Sequence, residues 1–120
     1  MKPVLLIDDD DDVLDSYESY LDVEDLSEYV DFFKGGRTVP EDVITGRELV
    51  ITDIKMPVED GFAVMAKVAA SSPATSIWVI SGHLDKDLEQ ELKSKGVSDV
   101  FDKGSHLDHF VDSLRAFLKK

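Results

Sequence analysis

The sequence contains no cysteine. This absence excludes disulfide bonds, zinc sites built on thiolates and enzymes that use a cysteine nucleophile. It also agrees with a reducing compartment, and we expect a cytoplasmic location.

Long apolar runs are also missing. The longest runs have about four or five residues, whereas a membrane-spanning helix needs about 20. Asp8 interrupts the N-terminal run before it reaches the length of a secretion signal. The sequence therefore predicts neither a membrane span nor export.

Basic residues are scarce, with 13 Lys and Arg against 26 Asp and Glu and a formal net charge of −13. Such a surface repels the phosphates of nucleic acids and anionic lipids. We therefore expect no direct contact with nucleic acid or membrane, and a protein partner that carries a basic patch.

What is present fits one globular domain. The 120 residues, of which 42% are hydrophobic and 32% charged, suffice for one continuous core. No repeat, linker or low-complexity tail interrupts them. We expect a single domain over residues 1–120.

Short apolar runs rich in β-branched residues predict five strands. They cover residues 4–7, 29–33, 49–52, 77–80 and 99–101, with the second nearer an edge and Trp78 in the core. Apolar residues at helical spacing predict the segments between them as helices. These are a helix through residues 13–21, a short one at 39–44 with Pro40 in its first turn, and longer ones at 61–70 and 85–95, the last ending at Gly96.

The final helix has the clearest pattern. The spacing of Ser105 and Asp108 predicts a capping box, and an apolar stripe runs from Leu107 to Leu118. Strands that alternate with helices predict an α/β fold, in which right-handed crossovers cover a parallel sheet on both faces.

Polar residues follow four of the predicted strands, and in an open parallel sheet ligands bind at the carboxyl ends of the strands. These residues are Asp8, Asp9, Asp53, Ser81 and Lys103. Three carboxylates at one edge require a compensating cation, and an all-oxygen ligand set favours Mg²⁺. We expect Asp53 to act as a nucleophile towards a phosphoryl group, and Lys103 and Ser81 to contact its oxygens.

These motifs together resemble the receiver domain of two-component response regulators. The resemblance rests on Asp8-Asp9, the segment 53–57 followed by Asp60-Gly61, Ser81-Gly82 and Lys103, and it covers essentially the whole chain. It implies a doubly wound, flavodoxin-like parallel sheet of five strands in the order 2-1-3-4-5, with five helices.

The resemblance also implies a function. A sensor histidine kinase or histidine phosphotransfer protein would pass a phosphoryl group to Asp53, and the chain would assist its own phosphorylation and dephosphorylation as a switch. Mg²⁺, for which Mn²⁺ could substitute, would be ligated by Asp8 or Asp9, by Asp53 and by the backbone carbonyl of Lys55. Of the first two, Asp9 would be the more direct ligand. The face formed by the fourth helix, fifth strand and fifth helix would contact a downstream protein or a fused output domain.

Three features depart from the family pattern. Gly104 follows Lys103 where the family usually has proline, Val100 stands where it has a switching aromatic residue, and the second helix is short. We therefore expect signal output through an altered surface.

Three alternatives fit the sequence less well. A pseudo-receiver, which docks partners without phosphorylation, should lack site residues that are all present here. A haloacid-dehalogenase-like phosphatase needs a second Asp two residues after its nucleophile, where this chain has Lys55. An EF-hand that begins at Asp8 fails because its sixth and twelfth positions are Val13 and Ser19.

Overall fold

The computed structural model describes residues 1–103 and 107–119. Its sheet has five strands in the order β2-β1-β3-β4-β5, and every neighbouring pair is parallel. The predicted strand number and order are therefore confirmed, with the second strand at an edge. The strands are β1 Val4–Asp8, β2 Val30–Lys34, β3 Leu49–Asp53, β4 Ser76–Ser81 and β5 Asp99–Asp102.

Five helices alternate with these strands, as predicted. They are α1 Asp11–Val23, α2 Glu41–Ile44, α3 Gly61–Ser71, α4 Lys86–Ser94 and α5 Leu107–Leu118. The second helix is indeed short, with a single turn. Within the described part of the chain, no helix has both the length and the apolar composition to cross a membrane.

The helices bury both faces of the sheet, which explains why the strands read as continuous apolar runs. Helices α1 and α5 pack on one face and α2, α3 and α4 on the other. Trp78 lies in the first of these cores at 5% exposure, next to Phe101 and Phe110, with ring centroids 5.2 and 6.2 Å away. Its predicted place in the core is confirmed.

Aspartate caps fix the start of three helices at the carboxyl edge of the sheet. Asp10 accepts hydrogen bonds from the backbone of residues 12 and 13, Asp60 from Ala63 and Asp85 from Leu88. Each cap satisfies backbone N–H groups that a helix start leaves unpaired. The loops after β1, β3 and β4 are thereby held in place, and these loops carry the candidate site.

Two local predictions were wrong. Tyr29 ends a 3₁₀ turn instead of starting β2, because its N–H donates to the carbonyl of Leu26 at 3.1 Å and closes a turn there. Pro40 is the extended N-cap of α2, not part of its first turn. The predicted capping residue Ser105, and Gly104, lie outside the described residues.

Candidate functional site

The polar residues predicted at strand ends do meet at one edge of the sheet. Asp8, Asp53 and Ser81 are the last residues of β1, β3 and β4, and Lys103 directly follows β5. Since β1, β3, β4 and β5 are consecutive neighbours in a parallel sheet, their carboxyl ends lie side by side. The fold thus brings together residues that are up to 95 positions apart, from Asp8 to Lys103.

Three carboxylates form the centre of this edge. Asp8, Asp9 and Asp53 each place one oxygen within 4.8 Å of the others. Asp8 is fully buried and Asp53 is 5% exposed. Two unit charges at such a distance repel by about 3 kcal/mol at an effective dielectric constant of about 20.

Lys103 offsets part of this repulsion. Its ammonium nitrogen lies 2.7 Å from Asp53 Oδ2 and 2.9 Å from Asp8 Oδ2, and its side chain is 21% exposed. The backbone N–H of Lys103 donates to the carbonyl of Ser81 at 2.8 Å, which fixes the start of the loop after β5. One cation therefore faces two buried anions.

The pKa values of the site reflect this imbalance. Burial raises the pKa of Asp8 above its ordinary value, and the N–H of Asp10 and the ammonium of Lys103 offset this only in part. Burial alone would lower the pKa of Lys103, but its contacts with Asp53 and Asp8 outweigh that effect and raise it. Lys103 therefore stays protonated, and a second positive charge near Asp8 would be favourable.

The ligand set fits a hard divalent cation. Asp8 Oδ2 is buried, and its one partner among the described residues is the ammonium of Lys103, an ion pair at 2.9 Å. Asp8 Oδ1 is already used by the N–H of Asp10 at 2.9 Å. A buried carboxylate oxygen whose one partner is a partly exposed ammonium can also accept a metal ion. The residues therefore suit Mg²⁺, which binds through carboxylates and keeps some of its waters.

An open pocket of about 280 Å³ lies over the carboxylates. Ser81, 6% exposed, stands in its wall, and its hydroxyl accepts the N–H of His83 at 3.2 Å. Gly82 is also in the wall, and a Cβ added there would meet no atom within 4 Å, so the pocket is open on that side. The exposed side chain of Lys55 completes the rim.

The loop after Asp53 is packed closely against the start of α3. The N–H of Gly61 donates to the carbonyl of Ile54 at 2.8 Å. A Cβ at Gly61 would lie 2.4 Å from the carbonyl oxygen of Asp53, so this approach requires glycine. Asp53 Oδ1 in turn accepts the N–H of Ile54 at 2.7 Å, which orients the carboxylate.

Val100 and Phe101 point to opposite faces of the sheet. Val100 is partly buried against the core on the α2, α3 and α4 face. Phe101 is 5% exposed on the other face, with its ring 5.3 Å from that of Phe110. Phe101, the aromatic residue of β5, is therefore packed in the core beneath α5. The position that the resemblance assigns to a switching aromatic ring is occupied by Val100, a small aliphatic residue.

Sequence reasoning missed Glu59 and Lys67, which tie the loop after Asp53 to other parts of the fold. Glu59 Oε1 accepts from Lys67 Nζ at 2.8 Å. Their separation of eight residues, one in a loop and one in a helix, is not a spacing that predicts contact.

Two transcriptional regulatory proteins are similar to this chain over nearly its whole length. The chain is 28% identical over 120 residues to the uncharacterized transcriptional regulatory protein YesN of Bacillus subtilis. The alignment covers 98% of this chain and 33% of YesN. It is 29% identical over 119 residues to the transcriptional regulatory protein PrrA of Mycobacterium leprae, covering 98% of this chain and 50% of PrrA. The chain therefore spans half or less of these two relatives.

Solved structures show the same architecture. The signal receiver domain of a putative Luxo repressor protein from Vibrio parahaemolyticus superposes with a TM-score of 0.80 at 26% identity, over 99% of this chain and 92% of that one. The family model described as response regulator receiver domain matches residues 4–115. The chain belongs to the response regulator receiver domain family.

Proposed function

We propose that this receiver domain accepts a phosphoryl group on Asp53 from a sensor histidine kinase or a histidine phosphotransfer protein. The observation that carries the proposal is the cluster of Asp8, Asp9 and Asp53 beside an open pocket, with the two buried members, Asp8 and Asp53, paired with Lys103. A cluster that costs several kcal/mol of repulsion has no evident structural role, and clustered carboxylates of this kind concentrate at functional sites.

The transfer itself requires few protein groups. A carboxylate oxygen of Asp53 attacks the phosphorus of a phosphohistidine, a phosphorus–oxygen bond forms and the phosphorus–nitrogen bond breaks. The imidazole leaves and takes up a proton. Because the chemistry is mostly positioning and charge stabilisation, it requires an acceptor carboxylate that is held in place and positive charge beside it.

Lys103 and Ser81 would stabilise the group that arrives. The ammonium of Lys103 already contacts Asp53 Oδ2 at 2.7 Å, so a small movement carries it to an oxygen of a phosphoryl group on that carboxylate. The Ser81 hydroxyl accepts only the N–H of His83 among the hydrogen bonds of the described residues, which leaves its own proton able to donate.

Asp8, Asp9, Asp53 and the backbone carbonyl of Lys55 would hold Mg²⁺. When bound, the ion supplies positive charge that offsets the repulsion between the acidic cluster and an incoming phosphoryl group. Asp9 is only partly buried and borders the pocket, so it suits direct contact with the ion, whereas Asp8 lies fully buried behind it.

The acyl phosphate would act as a switch by shifting the population of two conformations. The face of α4, β5 and α5 is the proposed output surface. Because Val100 stands at the position of the family's switching aromatic residue, a change at this surface would not involve rotation of a ring there. The target would be a downstream protein or a fused output domain, in the cytoplasm, and contact with nucleic acid would come from such a domain. The matched relatives are named as transcriptional regulatory proteins and are longer than this chain.

Intact mass after incubation with acetyl phosphate tests the proposal. We expect one added phosphoryl group with Mg²⁺, none with EDTA and none in Asp53→Asn. Asp22→Asn is the matched control, because Asp22 is exposed in the last turn of α1, at the opposite end of that helix from the loop after β1, and this variant should be labelled like the wild type. A folded protein that takes up no phosphoryl group and shows no beryllofluoride binding would instead be a pseudo-receiver.

A further inference from the structure

The loop after Asp53 contains a strained turn at Val58. Val58 is one of two non-glycine residues with positive φ in the described part of the chain, at φ 67°. The N–H of Glu59 donates to the carbonyl of Pro57 at 2.8 Å, so residues 57–59 form a γ-turn of the rare, strained hand. For a β-branched residue this conformation is an outlier.

Packing of the Val58 side chain does not hold this turn in place. That side chain is 75% exposed, so burial contributes little to its position. A strained conformation persists only when its surroundings over-determine it. The contacts that hold the turn must therefore come from its neighbours.

Glu59 supplies these contacts. Its Oε1 accepts the backbone N–H of Val39 at 2.6 Å and the ammonium of Lys67 at 2.8 Å. Lys67 also donates to the carbonyl of Val39 at 2.6 Å, which closes a three-membered brace. Both charged side chains are 19% exposed, and Val39 is fully buried. The brace of Glu59, Lys67 and Val39 thus anchors the turn to α3 and to the loop before α2.

The braced segment also borders the pocket. Residues 54–61 form a loop that is closed at its base by the bond from the Gly61 N–H to the carbonyl of Ile54. The brace holds this loop at Glu59. Lys55 lies in the chain between Ile54, at the base of the loop, and Glu59, and it borders the pocket. If the brace is lost, the strain at Val58 can relax, and the backbone around Lys55 can move with it.

We propose that Glu59 is a positioning residue for the divalent cation site: braced by Lys67 and Val39, it keeps the turn at Val58 strained and thereby keeps the Lys55 backbone in place for the ion. This inference rests on the proposed function, in which the Lys55 carbonyl is a ligand. Glu59 itself does not touch the ion.

Calorimetric titration of the full chain with Mg²⁺ tests the inference. We expect Glu59→Ala to weaken Mg²⁺ binding by about five- to thirtyfold, the range that corresponds to relaxation of one strained residue. Glu89→Ala is the matched control, because it removes an exposed glutamate that pairs with Lys93 on α4, far from the loop in sequence, and it should bind Mg²⁺ like the wild type.

A second substitution separates positioning from a general loss of structure. Glycine adopts positive φ at little cost, so Val58→Gly removes the strain that the brace opposes. We expect the double variant Val58→Gly/Glu59→Ala to recover Mg²⁺ affinity to within about twofold of Val58→Gly alone. A merely structural role of Glu59 would not produce this rescue. If Glu59→Ala does not fold, Lys67→Met breaks the same brace from its other end.

Unchanged Mg²⁺ affinity in folded Glu59→Ala would overturn the inference and leave the proposed function standing. Weakened binding without rescue by Val58→Gly would also overturn it, because the effect would not pass through the turn. If the wild-type chain bound no Mg²⁺, while folded by circular dichroism, the proposed function itself would fail and the inference with it.

Discussion

Replacement of Lys103 by methionine should make the protein depend on an added cation for its stability. Lys103→Met keeps the aliphatic stem and removes the only positive charge in contact with Asp8 and Asp53 among the described residues. The repulsion between the two carboxylates, whose oxygens lie within 4.8 Å, is about 3 kcal/mol at an effective dielectric constant of about 20, and it would then have no compensating charge. Because Lys103 is 21% exposed, water screens part of this, and we expect a net loss of about 2 kcal/mol.

Urea unfolding, followed by the fluorescence of the single tryptophan, measures this loss. The experiment is run near neutral pH, once in EDTA and once in excess Mg²⁺. In EDTA, Lys103→Met should lose about 2 kcal/mol, and Mg²⁺ should restore most of it because the ion replaces the missing charge. Lys55→Met is the matched control, since its exposed side chain borders the same pocket, and it should stay within about 0.5 kcal/mol of the wild type.

Either of two results would refute this reasoning. If Lys103→Met and Lys55→Met had equal stability in EDTA, the carboxylates would not depend on Lys103. If Mg²⁺ stabilised the wild type and Lys103→Met to the same extent, the ion and the ammonium would not act on the same carboxylates.

Three further predictions concern the scaffold. Arg47→Met should cost about 3 kcal/mol in urea unfolding, because it leaves the Asp31 carboxylate and two backbone carbonyls without their buried guanidinium partner. The hydrogen bond from Arg47 lowers the pKa of Asp31, so the stability advantage of the wild type over Asp31→Asn should be full near pH 6 and fade as the pH falls below 3.8; an advantage that grew on acidification would contradict this. Gly61→Ala should cost about 2 kcal/mol and slow phosphorylation, since its Cβ would meet the carbonyl oxygen of Asp53 at 2.4 Å, whereas Gly82→Ala, which meets nothing within 4 Å, should be stable.

The fold could be predicted from the sequence because its signals are local. Each buried strand is a short apolar run, and the acids or polar residues that end these runs mark the carboxyl edge of the sheet, as at Asp8 and Asp53. The stripe of α5 was confirmed for the same reason, since Phe110, Val111 and Leu114 are buried where helical spacing puts them. The strand order came only from the family resemblance, because run patterns do not say which strands are neighbours.

The candidate site could be predicted only as a set of residue types. Sequence spacing grouped Asp8, Asp53 and Lys103, but it could not show that one ammonium contacts both carboxylates. The role of Glu59 was invisible, because its partners Val39 and Lys67 lie 20 and eight residues away and no local pattern pairs them. The positive φ of Val58 was equally hidden, since a β-branched residue predicts an extended backbone.

Tyr29 shows how a local propensity can mislead. Aromatic residues favour strands, and Tyr29 directly precedes the run that forms β2. Instead, the N–H of Leu26 donates to the carbonyl of Leu21 at the end of α1, and the N–H of Tyr29 donates to the carbonyl of Leu26. Tyr29 therefore belongs to a 3₁₀ turn that follows α1. The chain enters β2 only at Val30, where the side chain is buried.

The most direct test of phosphoryl transfer to this chain is to locate the modified residue. After phosphorylation with acetyl phosphate and Mg²⁺, borohydride reduces an aspartyl phosphate to homoserine, which tandem mass spectrometry assigns to one position. We predict homoserine at residue 53 and intact aspartate at Asp8 and Asp9. Homoserine at position 8 or 9, or unmodified Asp53 in a protein that carries the phosphoryl group, would contradict the assignment of Asp53 as the acceptor.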